Sequence, residues 1–494
     1  MSLNISLLTA TSGLRAHQAG IDLVSRNLAN ANTEGYSAKR LNQETQIVAG
    51  QARGVLVGNH YRDVDAYLHR QVVQQKSTTS ALEVQESYLT RLDVFFGAPE
   101  AETSLAAYVN ELQNGFYELQ SQPESSALQQ QVALDARTLA RNLNTMSNEI
   151  VNLRQRAEDE IGEMVTLVNQ RLYEIGELNR ELVTAQSSNK STADLMDRMD
   201  SLLSEVSGYI DISTFRRDSG QIAVSTKNGQ PLVEANVYEL TFEGQAVVHG
   251  SKYTNPTTYP TVAPNLGGIQ LNGQDVTASL SGGRIAGLLD LRDNILPTAS
   301  AQLDEFSIQM SEAFRNEGLE LFQDPVNPGG GAALLTTAGV GHALRLEVNE
   351  DIINETWRLR DGTAAAAEST TPGDTTLIDT VLANVFESQQ TFRTTGLGPG
   401  ATPDLASGIE SSATLLSYSR SIISHQSGLR ADILDQIDFE RTYLDTLEVE
   451  LKNDSAVNID EEMAELIKLE ASYSASAKAI STIQEMFDQL LNAV

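Results

Sequence analysis

Residues 7–31 read LLTATSGLRAHQAGIDLVSRNLANA, and their apolar side chains repeat every seven positions. The main row consists of Leu7, Leu14, Ile21 and Leu28. A second, mostly apolar row lies three positions further along, and two such rows are typical of a helix packed lengthwise on another helix. The helix is expected to end near residues 27–32, because the Asn residues there and Gly35 tolerate the left-handed backbone of a C-cap.

The other end of the chain carries a similar apolar row. Asn458 is a favourable helix N-cap, and Glu461 three residues later can complete a capping box. The expected stripe consists of Ile459, Met463, Leu466, Tyr473, Ala477, Ile480, Phe487 and Leu491. Residues 1–60 hold five basic and three acidic side chains, whereas residues 430–494 hold five and fifteen. Apolar terminal helices of unlike charge are expected to pair with each other or with neighbouring subunits.

Between the two ends the periodicity changes. No proline occurs from about residue 127 to 186, and seven-residue apolar steps predict one helix of about 90 Å there, at 1.5 Å per residue. Residues 207–283 alternate with period two, and Asn228-Gly229 is typical of a hairpin turn. These patterns predict helices from both chain halves with β structure inserted between them.

The expected fold class is mainly α with inserted β. It is an elongated multi-helix bundle built from both chain ends, with terminal coiled-coil helices and small outer β-rich domains. Four domains are expected: a terminal helical domain (1–40 with 455–494), an elongated helical bundle (41–206 with 284–320 and 411–454), an inserted β domain (207–283) and a small mixed or irregular outer region (321–410).

Composition excludes several classes of function. The 494 residues include 34 basic and 66 acidic side chains, a net charge of −32 that argues against nucleic-acid partners and anionic membrane surfaces. The absence of cysteine excludes disulfide scaffolds, thiolate nucleophiles and thiolate metal sites. No stretch approaches about 20 apolar residues, so no membrane insertion is expected. The N-terminus lacks the pattern of a cleaved secretory signal.

One stretch of the sequence could bind a metal ion. His60, Asp63, Asp65 and His69 lie close together in sequence, which makes a metal site conceivable. A solvated bend at a loop–helix junction is the favoured interpretation, and no pair of histidines has helical metal-ligand spacing. The sequence contains no phosphate-binding loop and no GxSxG element. We therefore expect no catalytic residue, no metal site and no cofactor.

Both ends resemble a known family. SGLRA at residues 12–16 and SRNLANANTEGYS at residues 25–37 resemble the N-terminal signature of bacterial flagellar rod, hook and hook-associated proteins. VNIDEE, YSASAK and MFDQLL, which begin at residues 457, 473 and 486, are similar to the C-terminal region of the FlgK family, the first hook–filament junction proteins. Two internal blocks agree: GGRIAGLLDLRD from residue 282, and DLMDRMD from residue 194, in which Met199 replaces the family's usual arginine.

The resemblance implies a non-enzymatic, extracellular structural protein that adapts the hook to the filament. It implies self-assembly into a ring, contact with the hook protein and a second junction protein, export by the flagellar type III apparatus without a cleaved signal, and a FlgN-type export chaperone. Another axial rod or hook protein is an alternative. A further alternative is a wall-acting enzyme carried on a coiled-coil rod, with its active site in residues 207–410.

The residues expected to carry assembly come from the two terminal segments. The axial interface is expected at Leu7, Leu14, Ile21, Asn27, Leu28, Asn30, Asn32, Thr33, Gly35 and Tyr36, together with the C-terminal stripe given above. Candidate chaperone contacts are Leu466, Ile480, Phe487 and Leu490. Short unpartnered helices are marginal in water, so residues 1–40 and 455–494 are expected to be mobile in the free monomer and to fold on assembly.

Overall fold

The computed structural model describes residues 2–48, 51–97, 101–217, 219–248, 266–327, 339–398 and 404–492. The longer helices are α1 (Ser2–Ala29), α2 (Ala66–Phe96), α3 (Leu105–Ser121), α4 (Ser126–Ser187), α5 (Ala193–Tyr209), α6 (Gly283–Asp290), α7 (Leu296–Asn316), α12 (Leu415–Ser455) and α13 (Ile459–Asn492). The short ones are α8 (His342–Arg345), α9 (Glu350–Asn354), α10 (Arg358–Asp361) and α11 (Thr376–Val381).

The strands are short apart from the first two. They are β1 (Lys39–Val48), β2 (Gln51–Arg62), β3 (Ile212–Arg216), β4 (Ile222–Thr226), β5 (Pro231–Val233), β6 (Leu240–Phe242), β7 (Ile269–Leu271), β8 (Gln274–Asp275), β9 (Phe322–Gln323), β10 (Glu347–Val348), β11 (Gln390–Thr391) and β12 (Ser412–Ala413). All described strand pairs are antiparallel. Long helices with small antiparallel sheets confirm the mainly α class with inserted β.

The chain forms two compact units. Unit one comprises Met1–Thr78, Val168–Glu239 and Glu440–Val494, and unit two comprises Thr79–Leu167 and Leu240–Phe439. The sheet β3-β4-β5 belongs to unit one and the sheet β6-β7-β8 to unit two. Parts of the expected β and outer regions, residues 218, 249–265, 328–338 and 399–403, lie outside the described residues. The expected fourfold domain division stays a prediction.

Unit one brings together both chain ends. α1 ends at Ala29, as predicted, and Gly35 takes the left-handed backbone with φ 75°. The hairpin β1–β2 follows and packs on α1, where the hydroxyl of Ser12 accepts a hydrogen bond from the amide of Val55 at 3.2 Å. A separate cluster joins α2 to α12 through Leu68, Val72 and Leu447.

Unit two has an aromatic core. The rings of Phe116, Phe314, Phe322 and Phe386 lie 5.6 to 5.9 Å apart, centroid to centroid, in tilted and edge-on pairs. α6 approaches α2 closely at Gly287, where an added Cβ would lie 2.5 Å from the carbonyl oxygen of Ala81. This is the glycine of the internal GLLDLRD block, so that part of the family-like sequence serves helix packing.

The arginine of the same block is buried in unit two. Arg292 is 1% exposed and its Nη1 lies 2.7 Å from Glu158 Oε2 and 3.0 Å from the carbonyl oxygen of Gly267. Its other terminal nitrogen pairs with Asp293 at 2.7 Å. Glu158 also accepts a hydrogen bond from the amide of Gln245 at 2.7 Å. Every charge in this cluster has a partner, which is the condition for burying ions at tolerable cost.

Candidate assembly interface

The terminal helices α1 and α13 pack against each other. The closest approach is at Gly20, where an added Cβ would lie 3.0 Å from Leu469 Cδ1. On α1 the buried residues are Ala16, Gly20, Leu23, Val24 and Asn27, and on α13 they are Leu469 and Ile483. The two ends of the chain therefore share one small apolar core.

The heptad row of α1 lies beside this core. Leu7, Leu14, Ile21 and Leu28 are all half-buried, and the neighbouring Leu8 is 64% exposed. The buried row of α1, which includes Gly20 and Asn27, is therefore displaced by about one residue from the expected row. Gly20 has no side chain, so Leu469 packs more closely against the helix there than it could against a larger residue. Part of the apolar surface of α1 thus remains accessible to another chain.

The stripe on α13 is only partly buried. Leu466, Ile480 and Phe487 are half-buried towards α1, beside the buried Leu469 and Ile483. The other members of the expected stripe are exposed: Ile459, Met463, Tyr473, Ala477 and Leu491. Ile467 and Leu490 add to this outer apolar surface, with 63% and 52% of their surface exposed. The helix therefore offers apolar side chains in directions that α1 does not cover.

Asn27 joins α1, β1 and α13. Its Nδ2 donates to the carbonyl oxygen of Lys39 at 2.9 Å and to Glu462 Oε1 at 3.0 Å. Its Oδ1 accepts from the hydroxyl of Tyr36 at 2.9 Å and from the amide of Lys39 at 3.2 Å. Asn27 is 1% exposed, and its two bonds with Lys39 are buried, whereas those with Glu462 and Tyr36 are partly buried. Burial raises the pKa of Glu462, and burial beside Asp194 and Asp197 raises the pKa of Tyr36 to about 12.

A second polar cluster anchors the hairpin to α5. Asp197 accepts from the hydroxyl of Ser37 at 2.6 Å and pairs with Lys39 Nζ at 2.5 Å and Arg62 Nη1 at 3.1 Å. Arg62 also pairs with Asp200 at 2.6 Å, and Asp194 lies 3.1 Å from Lys39. Sequence reasoning missed Lys39 and Arg62. The available signal was the spacing of the three aspartates at i, i+3 and i+6, which places them on one side of a helix.

The rest of the N-terminal signature shapes the turn after α1. Asn30 Nδ2 donates to the carbonyl oxygen of Arg26 at 2.9 Å, and the hydroxyl of Thr33 lies 3.4 Å from Asn30 Oδ1. Asn32 is exposed, and the glycine at position 35 supplies the left-handed backbone. At the start of α13, Asn458 Oδ1 accepts from the amides of Asp460 and Glu461 at 3.1 and 3.4 Å.

Two of the residues considered for a metal site have other partners. Asp65 Oδ1 accepts from the amides of Tyr67 and Leu68 at 2.7 and 3.2 Å, and His69 Nε2 lies 4.0 Å from Asp200 Oδ1. Among the residues that the structure describes, no three His, Cys, Asp or Glu side chains are placed to hold a metal ion. No helix in the described ranges is long and apolar enough to cross a membrane.

Comparison with known proteins decides the family. The flagellar hook-associated protein FlgK helical domain matches residues 89–317. The C-terminal region of the basal body rod FlgEFG proteins matches residues 453–493, and the basal body rod protein family matches residues 7–36. The chain belongs to the FlgK family. It is accordingly a structural component of the bacterial flagellum, at the junction between hook and filament.

Two relatives known by sequence agree with this assignment. Flagellar hook-associated protein 1 of Bacillus subtilis is 22% identical over 525 aligned residues, which cover 99% of this chain and 98% of that protein. The protein of the same name from Salmonella typhimurium is 24% identical over 327 residues, covering 65% of this chain and 57% of the relative. The flagellar hook junction protein FlgK from Burkholderia pseudomallei, a solved structure, is 23% identical with a TM-score of 0.42, over 53% of this chain and 46% of that one.

Proposed function

We propose that copies of this FlgK-family chain form a ring on the end of the hook, joined through the exposed faces of α1 and α13. The observation that carries the proposal is the apolar surface of α13 that α1 leaves exposed. One face packs on α1, whereas Met463, Ile467 and Tyr473 stay 41%, 63% and 38% exposed. Burying one large apolar side chain contributes about 1.5–3 kcal/mol, so a row of them is a strong driving force for association.

The proposed role is that of a structural adaptor without enzymatic activity. One side of the ring contacts the hook protein, and the other contacts a second junction protein that leads to the filament. The polar bonds of Asn27 support this role, because they hold α1, β1 and α13 in one fixed relation. A joint between two different polymers needs subunits whose contact surfaces do not shift.

The proposal includes export in an unfolded state. The chain would leave the cell through the flagellar type III apparatus without a cleaved signal and act outside it. A FlgN-type chaperone would hold α13 beforehand, through the candidate contacts Leu466, Ile480, Phe487 and Leu490. The first three of these side chains are half-buried towards α1. The chaperone must therefore bind before the α1–α13 pair forms, and its release would free α13 for pairing.

Charge insertion on the outer face of α13 tests the proposal. A Met463→Asp/Ile467→Asp variant places two carboxylates on adjacent turns of the exposed apolar face, so ring assembly should be lost while secretion continues. Electron microscopy should show hooks without filaments, and the variant should be recovered from the medium. Ala475→Asp/Thr482→Asp is the matched control, since it adds the same charge to exposed positions on another side of the helix. Normal filaments in the first variant would contradict the proposal.

A further inference from the structure

Unit one contains a cavity of about 250 Å³ that the proposed assembly through α1 and α13 does not use. Its lining comes from β2, the start of α2, α5, and strands β3 and β4. Part of the wall is apolar, with Val64, Met196 and Leu203 among its members. The charged part of the wall includes Arg70 and Arg216. The cavity thus combines apolar surface with cationic groups.

The cations in this cavity exceed the anions. The ionised side chains of the wall are Arg62, Arg70, Arg216 and Asp200. Arg62 pairs with Asp197 at 3.1 Å and with Asp200 at 2.6 Å, so its charge is already neutralised. Neither Arg70 nor Arg216 forms an ion pair with any residue that the structure describes. Two arginines at the cavity are therefore available to pair with a carboxylate, in a chain whose net charge is −32.

The surroundings of Arg216 add to this positive character. Its Nη2 lies 3.3 Å from the sulfur of Met196, which is only a weak acceptor. Partial burial lowers the pKa of Arg216, and the nearby Arg62 lowers it further, while Asp200 opposes the shift. Burial also lowers the pKa of His69 in the same wall, with Arg62 again adding to the effect while Asp200 opposes it.

The beginning of α5 also lies in the wall of the cavity. Thr192 and Ala193 line it, and the side chain of Thr192 makes no capping hydrogen bond. A helix N-terminus carries roughly half a positive charge, which favours an anion beside it. The helix end and the arginines are independent features, and both favour the same type of ligand.

We propose that this cavity is a socket for a carboxylate side chain from a second copy of this chain. Charge complementarity selects the occupant, because each copy carries 66 acidic side chains, fifteen of them in residues 430–494. Arg70 and Arg216 pair with the carboxylate, and the apolar wall beside Met196 packs against its methylene stem. The inference rests on the proposed function, since the ring supplies the second copy.

Site-specific photocrosslinking tests the socket in assembled flagella. A benzophenone amino acid replaces Thr214, which lines the cavity, and Ser213 in a matched control, because neighbouring residues of β3 point to opposite faces of the strand. A third variant carries the photoreactive group at Ile467, on the outer face of α13. Hook–filament structures are isolated and irradiated, and the crosslinked peptides are identified by mass spectrometry.

The three positions separate failure of the socket from failure of the ring. We expect position 214 to crosslink to an acidic segment of a second copy, with at least a fivefold higher yield than position 213. A crosslink from 214 to another protein or to a segment without carboxylates, or equal yields at both positions, overturns the socket. If 467 reaches a second copy and 214 does not, the ring stands and the socket fails. If neither does, the ring itself is refuted.

A second measurement does not depend on a bulky probe. Arg70→Gln/Arg216→Gln removes both unpaired cations at exposed positions, so the fold should be retained. Filaments should detach from hooks severalfold faster under mild acid or shear than in the parent strain. Arg180→Gln/Lys190→Gln is the control, since it removes two exposed positive charges from another part of unit one. Equal detachment rates for the two variants contradict the socket.

Discussion

Asp197→Asn is expected to loosen the β1–β2 hairpin from α5 and to lower the free energy of unfolding of unit one. The carboxylate of Asp197 contacts Lys39 Nζ at 2.5 Å, Arg62 Nη1 at 3.1 Å and the hydroxyl of Ser37 at 2.6 Å. The side chain of Lys39 is 2% exposed, so loss of its main partner leaves a buried cation. Removing one member of a buried ion pair costs about 3–5 kcal/mol.

The low end of that range applies here, about 3 kcal/mol, because two partial substitutes remain. Asp194 stays 3.1 Å from Lys39, and Asp200 stays 2.6 Å from Arg62. The assay is urea denaturation followed by circular dichroism, with hydrogen exchange to assign the change to residues 39–62. Faster exchange should be confined to the hairpin and the adjoining turn of α5.

Two matched variants decide whether burial is the cause. Asp194→Asn removes a carboxylate at a similar distance from Lys39, but Asp194 is 68% exposed, so its loss should cost under about 1 kcal/mol. Lys39→Met/Asp197→Leu removes both buried charges and should be less destabilised than Asp197→Asn alone. Equal costs for Asp194→Asn and Asp197→Asn would refute the reasoning.

Three further predictions concern other parts of the chain. Gly20→Val should weaken the α1–α13 pair, because the added Cβ would lie 3.0 Å from Leu469 Cδ1. Adding Leu469→Ala to that variant should restore part of the loss, and hydrogen exchange of α13 measures both effects. Asn458→Ala should raise exchange in the first turn of α13, at a cost of about 1 kcal/mol. Burial lowers the pKa of His342 to about 4, so the unfolded chain binds the extra proton between about pH 6.5 and 4, and stability falls as pH falls through that window. His342→Gln should remove this loss from acid denaturation curves. Burial raises the pKa of Asp304 to about 6, so the contribution of Asp304 to stability rises as pH falls from about 6 to 3.8 and opposes that of His342.

Local patterns predicted much of the fold. The end of α1 at Ala29 follows from the Asn residues and the glycine after it, and α4 spans Ser126–Ser187 where seven-residue steps run without proline. The hairpin turn at Asn228-Gly229 lies between β4 and β5, with φ 84° at the glycine. Each of these features depends on residues within a few positions of one another, so the sequence alone carries the required information.

Contacts between distant parts of the chain were not predictable in the same way. Lys39 meets Asp197 across 158 positions, and no local signal indicates that a lysine after the turn is buried. The helix face of α1 also escaped prediction, because it depends on Leu469 of α13 fitting against Gly20. Periodicity shows that an apolar surface exists, but the partner determines which part of it is covered.

In the proposed ring, the pairing of α1 with α13 would make chain completeness a condition of assembly. Asn27 and Glu462 are 435 positions apart, so their hydrogen bond closes a loop that includes most of the chain. The entropy cost of such a loop grows only slowly with its length, but closure cannot begin until α13 is present. A truncated or partly exported chain would present α1 without its partner. Under the proposed assembly, only a chain that carries both helices would offer the joint surface to its neighbours, so incomplete chains would be left out of the ring.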